Sequence, residues 1–131
     1  MTNFTHKNLL DLDNMAAGRG DGFGGFEARF ARSAIESEHL GISYFSAPPN
    51  FRTPFGHSHR EQEEAYIVVS GSGRMRLEDE VIELKPWDVV RVAPSVVRAY
   101  ESGPEGLVLI AVGNDRPEGG DGEMVKDFWT D

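Results

Sequence analysis

The chain has 131 residues, of which 39% are hydrophobic and 27% are charged, and its formal net charge is −9. This length and composition predict one globular domain with its own hydrophobic core. Phosphate binding needs a concentrated basic face, so the acidic balance argues against nucleic acid as a partner. The chain has no cysteine, which excludes disulfides and thiolate chemistry. The absence of an apolar leader or a membrane-length apolar stretch predicts a cytoplasmic protein with no membrane partner.

The first 25 residues show no hydrophobic periodicity, and the residues after them are predicted to form strands. Residues 1–25 are predicted as an N-terminal arm or loop, because glycine is frequent there and no periodicity develops. Apolar and polar residues alternate over 26–31, which predicts a half-buried strand. Residues 41–46 predict a second strand. Pro48 and Pro49 then end it, because adjacent prolines cannot donate to a central ladder.

The middle of the chain carries the clearest strand signals. Short apolar runs alternate with turn residues, among them glycines at 71–73 and a Gly-Pro pair at 103–104. Many short strands at close intervals favour an all-β sandwich or barrel, and we place this domain at residues 26–113. Residues 114–131 are predicted as an acidic linker followed by an aromatic tail. The predicted strands of this region are 65–70, 74–78, 81–84, 89–92, 96–101 and 107–112.

Candidate metal ligands lie at the beginning of this region. His57 and His59 are two residues apart, so on a strand both imidazoles point to one face. Glu64 follows at the start of the next apolar run. Two histidines and one carboxylate from neighbouring strands are the ligands of a facial metal triad, which leaves open coordination positions. The pattern predicts a metal site, with exposed loop histidines as the alternative.

Two stretches resemble the motifs of the cupin family. Gly56 to Gly71 is similar to the first motif: two histidines, four intervening residues, a glutamate, six residues and a glycine. Pro86 to Arg98 is similar to the second motif. The longer run also resembles small single-domain bacterial cupins of the cupin-2 type, whose role is undetermined. The resemblance implies an all-β fold, a single-domain cupin β-barrel also described as a double-stranded β-helix or jelly roll.

The second stretch departs from the cupin pattern at two positions. Trp87 stands where the motif usually has glycine, so the turn there must accommodate a side chain. Arg98 stands where the family has its third histidine ligand. An arginine stays protonated and has no lone pair for a metal, so the usual four-ligand site is incomplete.

The sequence leaves two arrangements open for Arg98. In the first, a metal sits on His57, His59 and Glu64, and Arg98 binds an anionic group of a ligand. In the second, Arg98 pairs with Glu64 and takes the place of the metal. Like charges at about 4 Å repel by roughly 4 kcal/mol per unit charge at an effective dielectric near 20, and a dication doubles this. Tyr66 and Tyr100 are predicted to line the pocket beside Arg98.

Two functional hypotheses follow from the site and the resemblance. The first is a metal-dependent enzyme, of dioxygenase or isomerase type, acting on a small anionic substrate. The second is a metal-free binding module, in which an Arg98–Glu64 pair lies inside a pocket that holds a small ligand. Both are forms of a cupin-domain protein whose barrel pocket binds a small, anionic molecule, with or without a metal. Iron, manganese, nickel and zinc all suit the triad. The resemblance also implies a homodimer, for which the strand at 26–30 and the aromatic tail are the suspected surfaces.

Overall fold

The structure, a computed structural model, describes residues 3–19 and 23–131. Residues 1, 2 and 20–22 of the predicted N-terminal arm therefore lie outside the described residues. One short 3₁₀ helix, Leu9–Asp11, precedes eight strands in the described chain. The strands are β1 (Glu27–Phe30), β2 (Gly41–Ala47), β3 (Gly56–His59), β4 (Glu64–Leu77), β5 (Glu80–Leu84), β6 (Val89–Val92), β7 (Arg98–Gly113) and β8 (Gly122–Val125).

The strands form one antiparallel sheet, which confirms the predicted all-β class. Its main path runs β1-β2-β7-β3-β8, and β4 pairs with β5, β6 and β7. The period-two alternation of buried and partly exposed residues along β4 and β7 is typical of strands with one face in a core. Among the residues described, no helix is long and apolar enough to cross a membrane.

The sheet curls until the ends of its longest pair of strands meet. Glu64 pairs with Gly113 at one end of the β4–β7 ribbon, and Leu77 pairs with Arg98 at the other end. The 14 residues of β4 would span about 43 Å from first to last in a straight strand, at about 3.3 Å per step. Nevertheless, the side chains of Glu64 and Arg98 are 2.8 Å apart. The ribbon must therefore bend back on itself, and this closure builds the site.

The strands β4 and β7 bend at glycines, at two places where the sequence predicted turns. The predicted turn at residues 71–73 is wrong, because β4 continues through it with register shifts on both sides. Gly71 has φ of +84°, and a Cβ there would lie 2.1 Å from the carbonyl oxygen of Gly106. The predicted break at 103–104 is also wrong, since β7 continues through it. These glycines mark bulges and close backbone approaches that bend a continuous strand.

Trp87 adopts a backbone conformation that suits glycine. Its φ is +73°, in the left-handed region, and its side chain is largely exposed. A non-glycine residue in this conformation costs on the order of 1 kcal/mol. Because the Trp87 side chain is mostly exposed, its burial gains too little free energy to offset this strain. The turn thus keeps the geometry of the usual glycine although the residue differs.

The core lies inside the curled sheet. Inward side chains of β4 and β7 are almost fully buried, and a cluster of aromatic rings closes one end of the core. Phe26 stacks on Phe51 with ring centroids 4.9 Å apart, and Tyr100 packs near Phe26 and Phe45. The largest fully buried side chains are Arg98, Met75, Leu107, Leu109, Val68 and Val92. A fixed positive charge is therefore among the most deeply buried side chains of the described residues.

The C-terminal residues extend the sheet beyond the predicted barrel limit at residue 113. Strand β8 pairs with β3, with Met124 opposite His57 and Gly122 opposite His59. Phe128 is buried, and the indole Nε1 of Trp129 donates to the carbonyl oxygen of Thr53 at 3.0 Å. The predicted linker thus contains a strand that lies directly against the histidine strand.

Candidate metal site

The structure brings the three predicted metal ligands together. His57 and His59 lie on β3, and Glu64 is the first residue of β4. Glu64 Oε1 lies 3.7 Å from His57 Nε2 and 3.3 Å from His59 Nε2. One ligand atom from each residue lies within 4.8 Å of the other two, so the group could hold a metal. That it does so stays a prediction.

His59 presents a nitrogen atom that the described part of the protein leaves unsatisfied. Its Nε2 is buried and has no hydrogen-bond partner among the described residues. The 3.3 Å approach to Glu64 is close enough for charge attraction but lacks hydrogen-bond geometry. Buried polar atoms are nearly always hydrogen-bonded or metal-bound, so this nitrogen calls for a partner. The side chain of His57 is 35% exposed and that of His59 13%, so His57 is the open side of the site.

Arg98 pairs with Glu64, as the second of the two arrangements predicts; that it also takes the place of a metal stays a prediction. Its Nη2 donates to Glu64 Oε1 at 2.8 Å. Nη1 donates to the carbonyl oxygens of Val96 at 2.8 Å and Pro94 at 3.2 Å, and Nε donates to the hydroxyl of Tyr66 at 3.4 Å. The guanidinium thus has partners on all three of its nitrogens while it is almost fully buried.

The two predicted pocket tyrosines are both buried, but they differ in their contacts. The hydroxyl of Tyr66 donates to Glu64 Oε1 at 2.9 Å, so Tyr66 belongs to the site. Tyr100 packs among the rings of Phe26 and Phe45. Burial raises the pKa of both hydroxyls, and the negative charge of Glu64 adds to the effect. Both tyrosines are therefore neutral at physiological pH, and ligand binding by either stays a prediction.

Glu64 is held in its ionised form. Burial alone would raise its pKa, but the contacts with His57 and His59 and the charge of Arg98 together outweigh this. The net effect holds the pKa of Glu64 well below its usual range. The pKa of His59 is raised, chiefly by Glu64 and against the opposing effect of burial, with a further contribution from Asp121. An anionic carboxylate is the form that binds a cation.

Asp121 belongs to the site, and sequence reasoning missed it. Its carboxylate is buried; Oδ1 lies 2.9 Å from His59 Nδ1, and Oδ2 accepts the backbone N–H groups of Glu61 and Gln62 at 2.7 and 2.8 Å. It follows His59 by 62 residues and stands in a stretch rich in glycine and acidic residues. No local pattern distinguishes it from its solvated neighbours, so only the pairing of β8 with β3 reveals its place.

The donor set fits a divalent metal with three protein ligands. Two imidazole nitrogens and one carboxylate oxygen are the ligands preferred by iron, manganese, nickel and zinc. The unsatisfied His59 Nε2 points to the place where they converge. Tyr66 and Arg98 both donate to Glu64 Oε1, so a metal would share Glu64 with two hydrogen-bond donors.

Two cavities open on the surface away from the triad. One is lined by residues 14, 16–19 and 23–27, and the other by residues 6–8, 11, 12 and 34. Neither is lined by His57, His59 or Glu64. They are not the barrel pocket that the sequence predicts, which stays a prediction.

The fold closely matches solved structures, although the sequence gives no match to protein-family models or to curated proteins. A cupin protein from Bacteroides fragilis superposes with a TM-score of 0.69 at 20% identity, covering 100% of this chain and 91% of that one. The polyketide cyclase RemF from Streptomyces resistomycificus gives a TM-score of 0.73 at 20% identity, covering 96% and 87%. KdgF from Halomonas sp. gives 0.68 at 14% identity, covering 91% and 98%. The chain therefore has the cupin fold, as the two motifs predicted.

Proposed function

We propose that this cupin-fold protein binds one divalent metal ion through His57, His59 and Glu64 and presents it to a small molecule. The observation that carries the proposal is the buried, unsatisfied Nε2 of His59, which faces the other two ligand atoms. A metal with three protein ligands keeps open positions at which it can polarise an oxygen atom of a bound molecule. Access to those positions is from the side of His57, the more exposed histidine.

Arg98 acts in this proposal as an internal partner of Glu64. An arginine has five N–H donors, and four of them are engaged by Glu64, Tyr66, Val96 and Pro94. A bidentate grip on a carboxylate or phosphate needs two free donors, so Arg98 can form one only by giving up a present contact. An anionic ligand is therefore expected to bind through the metal, with Arg98 adding long-range attraction.

The charge of Arg98 weakens metal binding without abolishing it. At about 4 Å the guanidinium repels a dication by roughly 8 kcal/mol at an effective dielectric near 20. Glu64, in direct contact with the metal at about 2 Å, attracts it about twice as strongly on the same scale. The site is thus expected to bind metal more weakly than a site with a third histidine.

A metal-free binding module is the second candidate. The Arg98–Glu64 contact favours this candidate, because Arg98 already neutralises the Glu64 carboxylate without a metal. The metal-dependent enzyme remains the extension of the first candidate. The fold is compatible with catalysis, since RemF, a polyketide cyclase, shares it. Metal binding separates the two candidates before any substrate is known.

The test is metal content of tag-free protein by mass spectrometry, followed by thermal-shift titration of the chelated protein with Zn²⁺, Mn²⁺, Ni²⁺ and Fe²⁺. We expect about one metal per chain and a stabilising shift that His59→Ala removes. His39→Ala is the matched control, because His39 is exposed and its ion-pair partners in the described part of the chain are the exposed Glu38 and Asp115. Equal shifts in His59→Ala and the parent, or no metal and no shift, would replace this proposal with the metal-free module.

A further inference from the structure

The contacts of Asp121 determine which nitrogen of His59 carries a proton. Asp121 Oδ2 accepts two backbone N–H groups, and Oδ1 faces His59 Nδ1 at 2.9 Å. Two backbone N–H donors on one oxygen favour the carboxylate over the carboxylic acid. The carboxylate is ionised at neutral pH and can only accept hydrogen bonds. The short contact therefore requires a proton on Nδ1 of His59.

A proton on Nδ1 leaves the lone pair of the neutral ring on Nε2. That nitrogen is the buried, unsatisfied atom that faces His57 and Glu64. A neutral imidazole binds a metal only through its unprotonated nitrogen. The same contact also restrains the ring orientation, because Asp121 is itself fixed by the N–H groups of Glu61 and Gln62.

We propose that Asp121 is a positioning residue, which fixes His59 in the Nδ1-protonated tautomer and so keeps Nε2 available to a metal. The consequence for metal affinity rests on the proposed function, whereas the tautomer of the metal-free protein does not. The carboxylate comes from the C-terminal segment beside β8. That segment is therefore part of the site although it carries no metal ligand.

Asp121→Asn tests this role because it changes the chemistry and hardly the shape. The amide has one acceptor oxygen, and two backbone N–H groups compete for it. With the oxygen on these groups, the NH₂ group faces His59 Nδ1 and donates to it. The ring must then carry its proton on Nε2, and a metal can bind there only after that proton has moved.

A second histidine–aspartate pair provides the matched control. His39 Nδ1 lies 3.0 Å from Asp115 Oδ1, almost the same contact, but both side chains are mostly exposed. Water competes for both groups there, so the pair imposes no single tautomer. Asp115→Asn should leave both the tautomer of His59 and the metal affinity unchanged.

The experiment is ¹⁵N NMR of the histidine ring nitrogens in metal-free protein at alkaline pH, together with metal titration of the same samples. We expect the Nδ1-protonated tautomer for His59 in the parent and the Nε2-protonated tautomer in Asp121→Asn. Metal affinity should fall by about 10- to 100-fold in that variant. If the tautomer switches but the parent binds no metal, the positioning role stands and the proposed function fails. An Nε2-protonated His59 in the parent protein overturns the positioning role, and this measurement needs no variant to fold.

Discussion

Two glutamates of nearly equal burial pair with arginines, and the arginines differ in their exposure to solvent. The side chain of Glu64 is 15% exposed and that of Glu101 is 17% exposed. Glu64 pairs with Arg98, whose side chain is 1% exposed. Glu101 pairs with Arg52 and Arg74, which are 33% and 37% exposed. The burial of the two acids is therefore matched, whereas that of their arginine partners is not.

The difference in arginine exposure determines how much the loss of each glutamate should cost in stability. A partly exposed arginine that loses its carboxylate can turn to water, and such pairs contribute little to stability. A buried arginine cannot, because it stays protonated and its side chain has no route to solvent. Arg98 therefore needs Glu64 to compensate its buried charge, whereas water can replace Glu101 as the partner of Arg52 and Arg74.

Loss of the glutamate charge is the strongest way to test this contrast. Glu64→Gln leaves the charge of Arg98 buried with only neutral partners, and we expect the free energy of unfolding to fall by about 3–5 kcal/mol. Urea unfolding monitored by tryptophan fluorescence measures the change. Glu101→Gln is the matched substitution, and we expect it to lose only a small fraction of that amount. Equal losses in the two variants would show that the burial of the arginine is irrelevant.

Replacing the buried arginine tests the same contrast through metal binding. Arg98→His removes the repulsion of a dication and adds a third imidazole beside His57 and His59. We expect metal affinity to rise by at least about tenfold, since the repulsion removed exceeds 1.4 kcal/mol. Competition with a chromophoric chelator measures the affinity.

Arg74→His is the control for that gain, because Arg74 pairs with Glu101 rather than with the ligand glutamate. Its metal affinity should equal that of the parent protein. An unchanged affinity in Arg98→His would mean that the guanidinium does not limit metal binding.

The sequence predicts the ligand triad because the relevant information is local. Residues two apart share a strand face, so His57 and His59 converge wherever the strand lies. The chemistry of arginine alone excludes Arg98 as a ligand. The pairing of Arg98 with Glu64 cannot be predicted from local sequence, since the two residues lie at opposite ends of the β4–β7 ribbon and meet only through its curl.

The features that the sequence did not predict depend on tertiary pairing. Glycine favours positive φ in a turn and in a bulge alike, so Gly71 does not tell which one it forms. Asp121 directly precedes β8 and is buried where β8 pairs with β3, whereas its neighbours in sequence resemble a solvated linker. A local pattern cannot report a contact that another strand creates.

The smallest expected effect is the change that salt makes in the stability contributed by each of the two glutamates. Raising the ionic strength from about 0.1 M to about 1 M shortens the screening length from about 10 Å to about 3 Å. The stability difference between the parent and Glu101→Gln should then shrink towards zero, because water and ions reach Arg52 and Arg74. The difference between the parent and Glu64→Gln should persist, because Arg98 is shielded from both.

Urea unfolding in sodium chloride measures these differences, since urea, unlike guanidinium, adds no ions. Salt also strengthens hydrophobic burial, but it does so equally in the parent and in variants that differ by one polar group. The comparison of differences removes that contribution. Parallel shrinkage for both glutamates would show that solvent reaches Arg98 in solution, and the buried pair would then behave as a surface pair.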